Sequence, residues 1–467
     1  MANQNNSVIA ELIPYQTPAS LFTQFASKPG SILLDSTLFN EEYGRYSYIA
    51  LDPFKFIEAK NGVLKIDHLR QNTNLFETLR RELNNCSQAY IPELPPFQGG
   101  MAGAFSYDLL QYIEDLNFNN DDEMEFPDLA VGLYDLVIAF DHLKKEAWIL
   151  STGWPEQNLD QRKERAQVRL EWLKSLLVKP EKELSVPIEA LDSKPQISSN
   201  FTINSYEEAV KNVIAYILAG DIFEANISQR FQSKLPGALS AFQLYIRLSQ
   251  SNPAPFSAYF NLGEHQVVSA SPERFLKLTN KMIETRPIKG TRPRSNNPED
   301  DQKLANELIK SEKDCAENVM IVDLLRNDLS KVSKEHSVIV EKLCGLETYA
   351  DVHHLVSVVK AELKDEHDAV DLLVACFPGG SITGAPKIRA MQIIAEIEPN
   401  KRGMYCGSLG FIGFNGCMDT SIAIRTYTIR GRDLSFQAGG AVVVDSDPAA
   451  EYQETLTKAA ALCRALG

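Results

Sequence analysis

Two glutamates and a lysine near the end of the chain give the first chemistry to consider. Glu451, Glu454 and Lys458 stand at i, i+3 and i+7 in AEYQETLTKAA, on one face of a helix. That face is either solvated, with Glu454 and Lys458 paired, or a carboxylate pair for a hard cation. Mg²⁺ takes one or two protein carboxylates and fills its other positions with waters or substrate oxygens. Glu317 repeats the situation in AENVMIVDLLRNDL, at the apolar boundary of its helix beside Met320, Ile321 and Leu324. Carboxylates from two distant helices would make a Mg²⁺ site if they meet, which spacing leaves open.

Other stretches carry chemistry of different kinds. FPGGSITGAPKIRAM (377–391) sets Gly379, Gly380, Ser381 and Gly384 before a helix holding Lys387 and Arg389. Small residues there either expose backbone N–H groups to a carboxylate or phosphate, or simply turn tightly into a helix. His353 and His354 are adjacent in DVHHLVSVV; on a strand they face opposite sides, so at most one enters a given site. SIAIRTYTI (421–429) alternates as a strand with Arg425 among apolar neighbours, where a half-buried guanidinium needs a carboxylate from protein or substrate. Gly439 and Gly440 in QAGGAVVV mark a close approach to the backbone. Lys289, in IETRPIKGTRPR, lies at a strand end running into a turn, with Arg286, Arg292 and Arg294 around it.

These residues need a framework. The 467 residues are 44% hydrophobic and 23% charged, ordinary values for a globular enzyme. Net charge is −15, which repels nucleic acid and anionic lipid, so an anionic substrate needs a local basic pocket. No apolar run has the length of a membrane span, and MANQNNSVIAELIPY lacks the pattern of a secretory signal. Seven dispersed cysteines with no C-x-x-C pair read as reduced thiols, consistent with a cytoplasmic protein. Segments such as SILLDSTLF, FKFIEAKNGVLKI, HQVVSASPERFLKL and LSFQAGGAVVV read as antiparallel strands. Helices are expected over 160–177, from the Asn297–Pro298 cap, over 311–332, and from Asp447–Pro448 to the end. A proline-rich linker at 179–202 divides an N-terminal region (1–178) from a C-terminal one (203–467). The class is α+β.

Eight motifs then occur in order: SPERF (271–275), TRPIKGTRPR (285–294), AENVMIVDLLRNDL (316–329), VHHLVS (352–357), PGGSITGAPKIRAM (378–391), YCGSLG (405–410), DTSIAIRT (419–426) and AGGAVVVDSDPAAEYQET (438–455). Together they resemble the chorismate-utilising enzymes, most closely the aminodeoxychorismate synthase component I branch. The likeness is dense over 200–467 and reaches the N-terminal half through LLDS (33–36), GRYSYIALDP (44–53) and FQGGMAGAFSYDL (97–109). In anthranilate synthase component I, the position of Lys289 is typically alanine. In the water-adding isochorismate and salicylate synthases, a lysine base typically sits two residues before the asparagine of a segment like FEANISQRF (223–231). Here that position is Glu224, where aminating relatives commonly carry glutamine.

The resemblance implies a mechanism and a site. Lys289 attacks C2 of chorismate, a dianion, and expels the 4-hydroxyl; ammonia then adds at C4 and releases the lysine. The attacking amine must be neutral, which predicts burial or a neighbouring cation such as Arg286, Arg292 or Arg294. Glu273 is implied as the general acid on the departing hydroxyl, with a raised pKa, and His354 as the active-site histidine. Glu317 and Glu454, with Glu451 beside them, match the family's Mg²⁺ ligands. Arg425, Tyr405, Lys458, Ser381 and the Gly439/Gly440 backbone match positions that hold the substrate. Ser36, Tyr43, Gly44, Arg45, Tyr46, Pro255, Phe256 and Ser257 match the family's tryptophan pocket, whose alternative here is a packed strand core.

The implied fold is α+β, with two large antiparallel sheets packed face to face, helices outside, and both halves of the chain contributing. Ammonia is expected from a separate glutamine amidotransferase subunit in a heterodimer, because no cysteine lies in a nucleophile segment of that kind. The implied product is 4-amino-4-deoxychorismate for p-aminobenzoate and folate synthesis. The alternatives are the anthranilate synthase subunit, disfavoured by Lys289, and a non-catalytic tryptophan-sensing subunit.

Overall fold

Along the strand Tyr46–Ala50, Tyr48 and Ala50 face one apolar cluster while Ile49 faces another. The same alternation holds in Leu136–Asp141, where Val137 and Ala139 oppose Leu136, Ile138 and Phe140. Strands buried on both faces must lie between two layers. The computed structural model describes residues 8–116, 120–177, 195–237, 239–295, 297–348 and 352–467, and these build two 12-stranded antiparallel sheets. Most of the expected linker, through residue 194, lies outside the described residues.

The first sheet runs from Ile9–Ile13 through Glu146–Ser151, Leu136–Asp141, Tyr46–Ala50 and Ile32–Asp35. It continues through Phe256–Asn261, His265–Ser271, Thr426–Arg430, Asp433–Val442 and Glu224–Lys234 to Ser198–Ser199. The second runs from Ile288–Pro293 through Val352–Glu362, Met282–Thr285, Arg274–Thr279, Met418–Ile422 and Ser408–Gly413. It then passes Gly100–Phe105, Leu129–Tyr134, Lys55–Lys60 and Val63–Ile66 to Leu69–Gln71. Each sheet therefore draws strands from both halves of the chain. A shared core holds them face to face, with Tyr48, Phe260 and Val267 of the first meeting Ala102, Leu409 and Phe411 of the second. Phe411 stacks on Phe97 at 4.4 Å, an arrangement that adds about 1 kcal/mol to plain burial. Helices cover the outer faces: Leu75–Asn85 and Ala369–Cys376 on the second sheet, Ala241–Ser251 and Pro448–Leu466 on the first.

The helix starts fall where local chemistry puts them. Asn297 caps Pro298–Ile309, Ser311 caps Glu312–Ser330 and Asp447 caps Pro448–Leu466, each accepting a backbone N–H into its side chain. Two strands depart from their sequence pattern. HQVVSASPERFLKL is not continuous: His265–Ser271 belongs to the first sheet and Arg274–Thr279 to the second. SIAIRTYTI likewise breaks, because Met418–Ile422 and Thr426–Arg430 lie in different sheets. The alternation of apolar residues persists across both breaks, since each half-strand is buried on its own. Corners of this kind form where a strand leaves one sheet and enters its neighbour.

Candidate active site where two strands change sheets

The two corners lie side by side. Ile422 N–H donates to the Glu273 carbonyl at 3.0 Å, and Ala270 N–H to the Arg425 carbonyl at 3.1 Å. Ser271 Oγ ties them further, donating to the Ile422 carbonyl at 2.5 Å. Glu273 sits in this junction, buried, and its Oε1 accepts from Ser381 Oγ at 2.6 Å. Burial pushes its carboxyl up to about 7, against the lowering effect of Ser381 and of the Lys289 charge. The raised carboxyl expected of a general acid is therefore present. Ser381 belongs to the turn Gly380–Ile382, anchored by Asn226 Nδ2 on the Ser381 carbonyl at 3.1 Å.

Lys289 reaches the same place from the second sheet. Its strand, Ile288–Pro293, pairs with Val352–Glu362 and bulges between Lys289 and Thr291. Gly290 makes the bulge possible, with φ +73° and Leu308 and Asp314 standing 2.9–3.0 Å from where a Cβ would be. The buried amine of Lys289 donates to Glu224 Oε1 at 2.8 Å. Glu224 opens the strand Glu224–Lys234, pinned by the Gly384–Ala385 strand, whose Gly384 has the Glu224 carbonyl oxygen 2.1 Å from its missing Cβ.

The expected cation beside the lysine is absent among the described residues. Arg286 pairs with Glu347 at 2.7 Å, Arg292 with Asp314 at 3.2 Å and Arg294 with Asp301 at 2.8 Å. Burial lowers the lysine's pKa, but the charges of Glu224, Glu317 and Glu273 outweigh it, and the net shift is upward. Its surroundings therefore favour the ammonium ion over the neutral amine that attack requires.

Glu317, Glu451 and Glu454 gather at an acidic end of the site. Glu451 is buried in line with Thr455 and Ala459, not on a solvated face. Its Oε1 accepts from Ser446 Oγ at 2.7 Å, while its buried Oε2 has no hydrogen-bond partner. Glu454 and Lys458 do pair, at 2.7 Å, and Lys458 also donates to the Gly439 carbonyl at 2.9 Å. Gly440 explains why no side chain stands there: a Cβ would meet Glu451 Oε2 at 3.0 Å and Glu454 Oε1 at 3.2 Å. Lys313 spans the remaining gap, 3.9 Å from Glu317 and 4.0 Å from Glu451. Burial pushes the Glu317 carboxyl up to about 7 and raises that of Glu451. Carboxylate oxygens gathered in this way, one of them orphaned, fit a hard divalent cation. No three acidic, histidine or cysteine groups among the described residues converge tightly enough to hold one alone, so other oxygens would complete the shell.

Arg425 occupies the second corner with φ +53°. It donates to Asn252 Oδ1 at 2.9 Å, and no described carboxylate pairs with it. Burial and Arg464 lower its pKa, the condition of a cation lacking its anion. His354 is buried, bonds Thr291 Oγ1 at 2.9 Å, and is pushed down to about 4 by burial and by Arg425, so its imidazole is neutral. His353 faces the other way, onto Asp301 at 3.0 Å. The Tyr405 ring lies 5.7 Å from the buried Arg402 guanidinium. Lys387 points away from the site, to Asp328 and the Cys376 and Pro378 carbonyls.

The family of chorismate binding enzymes matches residues 34–464. This chain belongs to it. The chorismate-binding chain is 38% identical to aminodeoxychorismate synthase component 1 of Bacillus subtilis over 97% of its own length and 96% of that protein. It is 36% identical to anthranilate synthase component 1 of Aquifex aeolicus, over 97% and 93%. The crystal structure of anthranilate synthase component I from Streptococcus pneumoniae superposes with a TM-score of 0.78 at 32% identity, covering 91% of this chain and 94% of the other. The fold expected from the motifs is thus the fold found.

Away from the active-site corner, this chorismate-binding enzyme has a cavity of about 320 Å³ between its sheets. Tyr43, Arg45, Tyr46, Pro255, Phe256 and Ser257 line it, together with Asp35, Arg274 and Asp419, which lie within the quoted motifs without a role assigned to them there, and with Lys277. Ser36 and Gly44 shape its loop instead: Ser36 Oγ bonds the Leu38 carbonyl, and Gly44 fits against that same oxygen. One further residue and one further contact escaped the sequence. Lys313 carries no signal beyond its i,i+4 spacing to Glu317, and the meeting of Glu224 with Lys289 is a product of the fold alone.

Proposed function

We propose that this chorismate-binding enzyme aminates chorismate to 4-amino-4-deoxychorismate. The observation that carries the reading is a buried lysine amine, bonded to Glu224, that feels the charge of the buried Glu273 carboxyl on which Ser381 donates. Lys289 forms a bond to C2 while the C4–O bond breaks, and Glu273 gives the departing hydroxyl its proton. Arg425, Lys458 and the Gly439/Gly440 backbone take the substrate's carboxylates, with Ser381 and Tyr405 beside them. The neutral His354 hydrogen-bonds without adding charge. Glu317, Glu451 and Glu454 would hold Mg²⁺, which supplies positive charge against a substrate carboxylate. Ammonia adds at C4 and frees Lys289; in the cytoplasm it comes from a glutamine amidotransferase subunit. The product feeds p-aminobenzoate and folate synthesis.

Anthranilate synthesis is the competing reading. Incubation with chorismate, Mg²⁺ and an ammonium salt is expected to yield 4-amino-4-deoxychorismate; o-aminobenzoate as sole product would reject amination at C4. Turnover by the isolated chain would also exclude a purely regulatory subunit. A second reading concerns the cavity between the sheets, whose aromatic walls and charges of both signs suit a zwitterionic aromatic amino acid, L-tryptophan.

A further inference from the structure

Glu224 is fully buried, and nothing in the proposed reaction so far uses it. Its Oε1 takes the Lys289 proton donor at 2.8 Å, and its Oε2 has no hydrogen-bond partner. Glu273 already accepts from Ser381, and Glu317 and Glu454 lie by Lys313 and Lys458. Among the described residues, Glu224 is the acceptor within hydrogen-bond distance of the amine. A lysine held as an ammonium ion cannot attack carbon until one proton leaves it. Both side chains are buried, so a proton passed directly to the bonded neighbour avoids solvent.

We propose that Glu224 is the catalytic proton acceptor for Lys289, so that the amine attacks chorismate as its proton crosses to Glu224 Oε1. This rests on the reading of Lys289 as nucleophile. The N–H bond at Nζ breaks and an O–H bond forms on Glu224, and the freed electron pair makes the N–C2 bond. The ring double bonds shift, the C4–O bond breaks, and the hydroxyl leaves as water with the Glu273 proton. When ammonia adds at C4 and the C2–N bond breaks, the lysine amine takes its proton back from Glu224, the new C4 ammonium gives a proton to Glu273, and the resting state is restored. A glutamine, common at this position in aminating relatives, bonds the amine but accepts no proton. The departure in this chain thus changes how the proton leaves, not whether the lysine reacts.

The consequence is a difference in pH behaviour that packing alone would not cause. In the wild type the reactive pair, neutral amine and protonated Glu224, carries the same total protons as the resting ion pair. Its population does not depend on pH. In E224Q the proton must go to solvent, so the reactive fraction grows with pH until the amine's own pKa. The other groups facing the amine, Glu273, Glu317 and Glu454, are present in both proteins, but Glu317 also feels the Glu224 charge, so E224D, which keeps that charge, is the control for their titration.

The test measures the first-order rate of covalent adduct formation by quenched-flow intact mass, with chorismate and Mg²⁺ and no ammonium. The ratio of the E224Q rate to the wild-type rate should rise about tenfold per pH unit at pH values below the pKa of the E224Q amine and level off above it. E224D, which keeps a carboxylate, should give a ratio that is flat with pH, and it serves also if E224Q does not fold. A flat E224Q ratio, or a sloped E224D ratio, would overturn the proposal. Absence of any adduct in the wild type would instead remove the nucleophile reading on which it stands.

Discussion

Lys289 and Glu224 are 65 residues apart in the chain and 2.8 Å apart in space. The three arginines near Lys289 in sequence all turn to other carboxylates, while its charge partners come from three distant segments. Nearness along a strand says little about which side chains share a face, because neighbours alternate sides and a bulge resets the alternation. The chemical identity of the site was legible in the motifs; its electrostatics were not. Glu273 gives a test at this scale. Its carboxyl must be protonated to serve as acid, and burial raises its pKa to about 7, so protonation is lost as pH climbs through that value. At saturating Mg²⁺, kcat/KM should fall about tenfold per pH unit above the limb. Ser381 stabilises the carboxylate form, so Ser381→Ala should move that limb upward by about one unit, as loss of a hydrogen bond to a charged group implies. A downward shift would mean that Ser381 binds the protonated acid instead.

Helix starts were readable because a cap is a local event: Asn297, Ser311 and Asp447 each bond an N–H two or three residues on. The two corners were unreadable for the opposite reason. Apolar alternation continues through 265–279 and 418–430, and only the packing of one sheet on the other decides where the chain crosses. Glu273 and Arg425 owe their positions to those crossings. The strand Asp433–Val442 and the helix Pro448–Leu466 meet with similar economy at Gly440. Gly440→Ala places a methyl 3.0 and 3.2 Å from the ends of two flexible glutamates, which can yield without disturbing backbone. We expect Tm to change by less than about 2 °C. The Mg²⁺ concentration for half-maximal activity should rise by about tenfold or more, as when a ligand's surroundings are altered. Unchanged Mg²⁺ dependence would separate Glu451 and Glu454 from any cation.

At the scale of the whole molecule, neither sheet belongs to one half of the chain. The N-terminal segments that line the cavity and the C-terminal segments that build the corner share one core, so binding in one place is linked to the stability of the other. Arg286 makes the link visible, pairing with Glu42 at 3.5 Å and stacking on Tyr43 at the cavity rim, three residues before Lys289. L-tryptophan at about a hundredfold excess over its Kd should raise Tm by about 3 °C in a chain of this size. No shift at any attainable concentration would leave the cavity without that ligand.

The proposed reaction depends on a covalent bond between Lys289 and the substrate. Intact mass of the protein mixed with chorismate and Mg²⁺, without ammonium, tests it most directly. The expected result is an adduct of chorismate less water on the wild type, mapped to Lys289 by proteolysis and absent in Lys289→Ala, whose amination rate falls at least about 10³-fold. An adduct of the same mass and yield in Lys289→Ala would contradict it.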